Sequence, residues 1–129
     1  MKIGLLEDNP AILDYMTYMF TMAGYEVYPY TESASLLQTL PAPLQANTQL
    51  PYDLLVIDIL LPGELSGAET VIRLRQRFSP VQLPIIVVSA CSQAELTWLA
   101  TTIPGISTLR KPFKTSTLLQ LVERAKVKQ

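Results

Sequence analysis

Three unbroken apolar runs constrain this chain most. They are KIGLL (2–6), LLVI within DLLVID (53–58), and LPIIVVSA (83–90). A strand with one face in water alternates apolar and polar side chains, and these do not. Short continuous runs belong to strands buried on both faces, as in the interior of a parallel sheet covered by helices. A helical pattern follows each run. After the first comes NPAILDYMTYMFTMAG (9–24), with Asn9 as N-cap, Pro10 at the first helical position and Gly24 as the stop. Ile12, Met16, Met19, Phe20 and Ala23 fall on its inner face. After the second, residues 66–79 bring Ala68, Val71, Ile72 and Arg75 to helical spacing, and after the third, residues 92–102 form a weaker helix.

Two more pairs complete the chain. YEVYPY (25–30) reads as a strand that Pro29 confines to an edge, and ESASLLQTL (32–40) as a short helix. GISTLRK (105–111) holds the last strand. KTSTLLQLVERAKVKQ (114–129) forms the last helix, with Leu118, Leu121, Val122 and Ala125 as its apolar stripe and basic residues at its end to suit the helix dipole. Five strand–helix pairs joined by right-handed crossovers predict an α/β fold, a doubly wound parallel sheet of five strands flanked by five helices. LPAPLQANTQLPYD (40–53) reads as one long surface loop, and residues 1–129 as a single domain.

Composition removes several classes of function. The chain has no histidine, which excludes a Ser-His-Asp or Cys-His nucleophile, a histidine zinc site and a phosphohistidine of its own. Its one cysteine, Cys91, excludes an internal disulfide and a cysteine zinc site. A net charge of −1 gives no electrostatic reason to expect nucleic acid or an anionic membrane as partner. No secretory signal and no membrane-length apolar run is present, so the cytoplasm is the expected location. Met1 and the charged tail fit a complete chain. Tyr15, Tyr18, Tyr25, Tyr28 and Tyr30 read as packing and surface residues, and Trp98 falls on the fourth helix.

The second run carries the chemistry. In LLVIDILLPG (54–63) a single aspartate, Asp58, interrupts an apolar stretch, and a lone carboxylate there is costly unless something pairs with it. In doubly wound sheets the functional crevice lies at the carboxyl ends of the strands. Four strand ends carry polar groups: Glu7 and Asp8, then Asp58, then Ser89, then Lys111. Three carboxylates in one pocket repel and call for a cation, and hard oxygen ligands suit Mg²⁺. An ionised aspartate is also a nucleophile toward phosphorus, with a metal, an ammonium and a hydroxyl available for the phosphoryl oxygens. A flavin-binding protein of related fold would need a phosphate-cradling loop after strand 1, where LLEDNP places acids instead.

LLEDNP, VIDILLPG, VVSA and LRKPF, in this order and each led into by a strand, resemble the receiver domain of two-component response regulators over roughly residues 1–126. The resemblance implies a flavodoxin-like sheet of order 2-1-3-4-5. It implies Asp58 as phosphoacceptor, Asp8 as direct Mg²⁺ ligand, Glu7 acting on the metal largely through water, and the Leu60 backbone carbonyl as a further ligand. Ser89 takes the place of the switch hydroxyl, and Lys111 that of the site lysine, with a cis bond to Pro112. The implied donor is a histidine kinase or histidine phosphotransfer protein. The implied activity is self-promoted phosphorylation and slow dephosphorylation rather than enzymatic turnover. Output would come from phosphorylation-dependent contact with a downstream protein, or from relay of the phosphate to another histidine. The intact acid, hydroxyl and lysine set argues against a module that is never phosphorylated. Whether two copies pair is left open.

Three features depart from the family pattern. The gap between Asp8 and Asp58 is longer, Gly67 comes one residue later, and Thr108 occupies the position of the usual switch aromatic. Leu60 and Cys91 stand where receivers admit or orient the hydrolytic water, which predicts a slowly decaying phosphoryl group.

Overall fold

The computed structural model describes residues 1–41, 49–59 and 67–127. In chain order the elements are β1 (Lys2–Leu6), α1 (Pro10–Met22), β2 (Glu26–Tyr30), α2 (Ser33–Leu37), β3 (Leu54–Ile57), α3 (Gly67–Arg77), β4 (Ile85–Ser89), α4 (Gln93–Thr102), β5 (Ile106–Arg110) and α5 (Thr115–Val127). The strands form one parallel sheet in the order β2-β1-β3-β4-β5. The expected flavodoxin-like, doubly wound topology is the one observed.

Side-chain alternation along the inner strands divides the core in two. Leu55, Ile57, Ile85 and Val87 point to one face and meet Leu36, Val71, Leu74, Leu96 and Leu99 of α2, α3 and α4. Leu54, Val56, Ile86 and Val88 point to the other and meet Met16, Phe20, Leu118 and Val122 of α1 and α5. Every residue of β3 and β4 is buried, which is why these runs carry no polar alternation. β2 lies at the sheet edge, where Pro29 costs no inner ladder bond.

Local chemistry sets the ends of α1. The Asn9 side-chain oxygen accepts from the backbone N–H groups of Ala11 and Ile12 at 3.0 and 3.1 Å, and Pro10 supplies the first turn. Gly24, at φ 94°, turns the chain toward β2 in a region that side-chain-bearing residues avoid.

The structure departs from the sequence reading in its helices. Ala23 caps α1 and is exposed rather than buried. α2 has only five residues. α3 is rotated from its expected face: Thr70, Val71 and Leu74 are buried, and Ile72 faces solvent. Tertiary partners decide this. The Thr70 hydroxyl donates to Ser33 Oγ at 2.8 Å in the interior. The Arg75 guanidinium donates to the carbonyls of Pro104, Phe78, Leu83 and Gly105 at 2.8 to 3.2 Å, so its charge is solvated by backbone at the end of the sheet away from the acids. Residues 42–48 of the 40–53 loop, and Leu60, lie outside the described residues.

Candidate functional site

β1 and β3 are hydrogen-bonded neighbours, with Leu6 in register with Ile57. Glu7 and Asp58 therefore leave the sheet side by side. The backbone fixes both: Glu7 N–H donates to the Tyr30 carbonyl at 3.0 Å, and Asp58 N–H to the Leu6 carbonyl at 2.9 Å. Asp8 follows at the mouth, half-buried, and ligand oxygens of Glu7, Asp8 and Asp58 all lie within 4.8 Å of one another. Glu7 and Asp58 are deeply buried, at 2% and 6% exposure.

Lys111 enters from the end of β5. Its ammonium donates to Glu7 Oε1 and, at 3.0 Å, to Asp58 Oδ2. The Lys111–Pro112 bond is cis, as the resemblance implied. The Lys111 backbone N–H donates to the Ser89 carbonyl at 2.8 Å, which ties the lysine to the end of β4. Ser89 is fully buried, and its Oγ accepts from the Cys91 N–H at 3.3 Å. Among the described residues, Glu7, Asp8, Asp58 and Lys111 thus meet at the carboxyl edge of the sheet, where Ser89 ends the neighbouring strand β4.

The electrostatics follow from burial and pairing. Burial pushes the Glu7 carboxyl above its usual range, against the opposing pull of the Lys111 ammonium and of the Asn9 N–H, which donates to Glu7 Oε2 at 3.2 Å. Burial alone would pull Lys111 down. Its hydrogen bonds to Glu7 and Asp58 outweigh that and hold it above the ordinary lysine value. Three carboxylates facing one ammonium leave the site short of positive charge when all are ionised. An all-oxygen donor set with that deficit fits a hard divalent cation such as Mg²⁺.

Two features of the site were not read from the sequence. One is the bond between Lys111 and Glu7, which were assigned to different tasks. The other is the double use of Asn9, whose side chain caps α1 while its backbone holds Glu7. The motif EDNP carries the second signal, since an N-cap directly after an acidic pair must aim its own N–H near those acids.

The family model of the response regulator receiver domain matches residues 3–123. The chain belongs to this family. This receiver is 32% identical over 127 residues to the phosphate regulon transcriptional regulatory protein PhoB of Rhizobium meliloti, covering 95% of this chain and 50% of that one. It is 26% identical over 123 residues to the transcriptional regulatory protein FixJ of Bradyrhizobium diazoefficiens, covering 95% and 55%. The receiver thus spans about half the length of these curated relatives. Among solved structures, a CheY-like receiver domain protein from Methanospirillum hungatei superposes with a TM-score of 0.80 at 22% identity, covering 98% of this chain and 94% of that one. A receiver protein from Sinorhizobium medicae gives 0.78 at 22% identity, covering 100% and 97%. These two likenesses concern the fold. Receiver domains bind Mg²⁺ in an acidic pocket and work with histidine kinases or phosphotransfer proteins, and the acid cluster here is compatible with that metal. No helix among the described residues is long and apolar enough to cross a membrane.

Proposed function

We propose that this receiver accepts a phosphoryl group on Asp58 from the phosphohistidine of a partner kinase or phosphotransfer protein, and signals by changed contact with a downstream protein. The observation that carries the reading is the Lys111 ammonium, bonded at once to Asp58 and Glu7 at the carboxyl edge of the sheet. A surface lysine would not be held between two buried acids without a task that needs its charge there.

In this reading an Asp58 carboxylate oxygen attacks phosphorus in line with the P–N bond. The new O–P bond forms as the P–N bond breaks, and its electron pair stays with the departing imidazole. Lys111 keeps its proton throughout and moves its hydrogen bond from the carboxylate to a phosphoryl oxygen. Ser89, at the end of the adjacent strand, donates its hydroxyl proton, which its bond from the Cys91 N–H does not use, to another phosphoryl oxygen. The residues that would hold Mg²⁺ are Asp8, Asp58, Glu7 through water and the Leu60 carbonyl, and the bound ion supplies positive charge to the transferring group. Cys91 is buried beside Ser89 and presents no strong hydrogen-bonding group for a hydrolytic water, which supports slow decay of the phosphoryl group. Leu60→Asn leaving the decay rate unchanged would remove Leu60 from that account.

The test is incubation with a small phosphodonor and Mg²⁺, read by intact mass on the wild type and Asp58→Ala. The expected result is a gain of one phosphoryl group that needs both Mg²⁺ and Asp58. No gain in the folded, Mg²⁺-supplied wild type would overturn the reading.

A further inference from the structure

We propose that Tyr52 is a positioning residue for the acid site, acting through Tyr30 on Glu7. The inference rests on the phosphoacceptor reading above and extends that site to the α2 side of the sheet. Tyr52 belongs to the 40–53 segment that lengthens the gap between Asp8 and Asp58. It is 3% exposed, although it lies outside every helix and strand. Its ring lies over Gly4 of β1, where a Cβ would stand 3.2 Å from two ring atoms. The rings of Tyr28 and Tyr30 meet it edge to face, with centroids 5.8 and 6.3 Å away.

The hydroxyls around Tyr52 have only one consistent order. Each has a single proton to give, and a carbonyl can only accept. Thr39 Oγ1 lies 2.7 Å from the Leu36 carbonyl, so its proton goes there. At 2.8 Å from the Tyr52 hydroxyl it must therefore accept. Tyr52 donates to Thr39 and is left to accept from the Tyr30 hydroxyl. A one-way chain of hydrogen bonds thus runs from Tyr30 through Tyr52 and Thr39 to the last turn of α2.

Tyr30 closes β2 and carries the carbonyl that accepts from the Glu7 N–H. Among the described residues β2 pairs with β1 alone. The end of such an edge strand opens more readily than an inner one, because no second ladder holds it. The Tyr30 side chain supplies the missing hold by bonding Tyr52. Opening at Tyr30 frees the Glu7 backbone, and with it the carboxylate that the Lys111 ammonium bonds together with Asp58. A site works at its full rate only when the groups behind it lock its geometry.

Backbone amide hydrogen exchange on the full chain tests this, with the Val56 amide of the central strand as the measure of whole-chain opening. Tyr52→Phe keeps the ring over Gly4 and removes the acceptor of Tyr30. The Glu7 amide is expected to exchange roughly fivefold faster relative to Val56, the effect of losing one ordinary hydrogen bond. Phosphorylation of the folded variant by a small phosphodonor with Mg²⁺ is expected to slow several-fold. Thr39→Val, which removes the acceptor of Tyr52, shifts both in the same direction by less, and Thr39→Ser, which keeps the hydroxyl, restores them. Tyr25→Phe makes the same chemical change at the other end of β2 and leaves the Glu7 to Val56 ratio at its wild-type value. Should Tyr52→Phe fail to fold, the Thr39 pair carries the test. A phosphorylated wild type whose Glu7 amide and rate ignore the loss of the Tyr52 hydroxyl overturns the proposal, as does a Tyr25→Phe that shifts Glu7 as far as Tyr52→Phe. A wild type that gains no phosphoryl group overturns the reading of the site and this proposal with it; the exchange comparison, which uses no phosphodonor, tells the two failures apart.

Discussion

The Lys111 ammonium lies 3.0 Å from Asp58 Oδ2, a residue 53 positions earlier in the chain, and holds Glu7 at the same time. The one cation that the described residues bring to these acids thus stands between Glu7 and Asp58, the two most buried of them. Lys111→Met removes the charge and keeps most of the stem. The phosphorylation rate with a small phosphodonor is expected to fall by about 10²-fold or more, the usual loss when one preorganised stabiliser of transition-state charge is deleted. Affinity for Mg²⁺ is expected to rise, because the acids lose the cation that now competes for them. Isothermal titration reads the second effect, and a weaker or unchanged affinity would contradict the competition.

Gly67 opens α3 against the backbone that carries the phosphoacceptor. Its N–H donates to the Ile59 carbonyl at 3.2 Å, and a Cβ placed on it would run into the Asp58 carbonyl oxygen and the Ile59 Cα. Neither obstacle is a flexible side chain, so the helix or the strand end must shift. Gly67→Ala is expected to cost about 1–3 kcal/mol, the range for overpacking a tight interior. It is also expected to slow phosphorylation by more than the unfolded fraction explains, because the displaced atoms belong to Asp58. Urea denaturation and the phosphorylation time course on the same samples separate the two effects.

Much of this was legible in the chain because it depends on local rules. Asn9, Pro10 and Gly24 bound α1 through capping and φ preferences that need no tertiary partner. The unbroken apolar runs identified the inner strands, since only two-sided burial permits them, and Pro29 marked the edge. The acids, Ser89 and Lys111 could be placed at one edge because parallel strands all end there. What the chain did not disclose is decided by distant partners. The expected face of α3 took Ile72 inward, but Ser33 captures the Thr70 hydroxyl and four carbonyls capture Arg75, which turns the helix. The Lys111–Glu7 bond joins residues 104 apart, and no spacing rule reaches that far.

Asn9 is expected to act on stability and on the site through separate atoms. Asn9→Ala removes the cap on the Ala11 and Ile12 N–H groups, at a cost of about 1 kcal/mol, but leaves the backbone N–H that holds Glu7. Asn9→Asp keeps an acceptor for the cap and adds a fourth carboxylate beside the acids. Thermal melts should place Asn9→Asp above Asn9→Ala when Mg²⁺ is present, where the ion offsets the added charge. The same order by the same margin in excess chelator would show that the added carboxylate does not feel the site.

The hydroxyl of Tyr25 donates to a Glu123 carboxylate oxygen and fastens the start of β2 to α5. Burial, then the hydrogen bond to Glu123 and the negative charge there, push the phenol from 10 up to about 12. The proton is therefore held more tightly in the folded chain than in the unfolded one. Below pH 10 both states keep it, and the stabilisation is fully present. Between pH 10 and about 12 the unfolded chain loses the proton first, so the stabilisation falls as pH rises through the folded value. Tyr25→Phe has no such proton. Other groups titrate in the same window, so the quantity to follow is the difference in urea midpoint between wild type and Tyr25→Phe. That difference should be flat below pH 10 and shrink steadily above it. A difference that stays constant through pH 12 would mean that the Tyr25–Glu123 bond contributes nothing in solution.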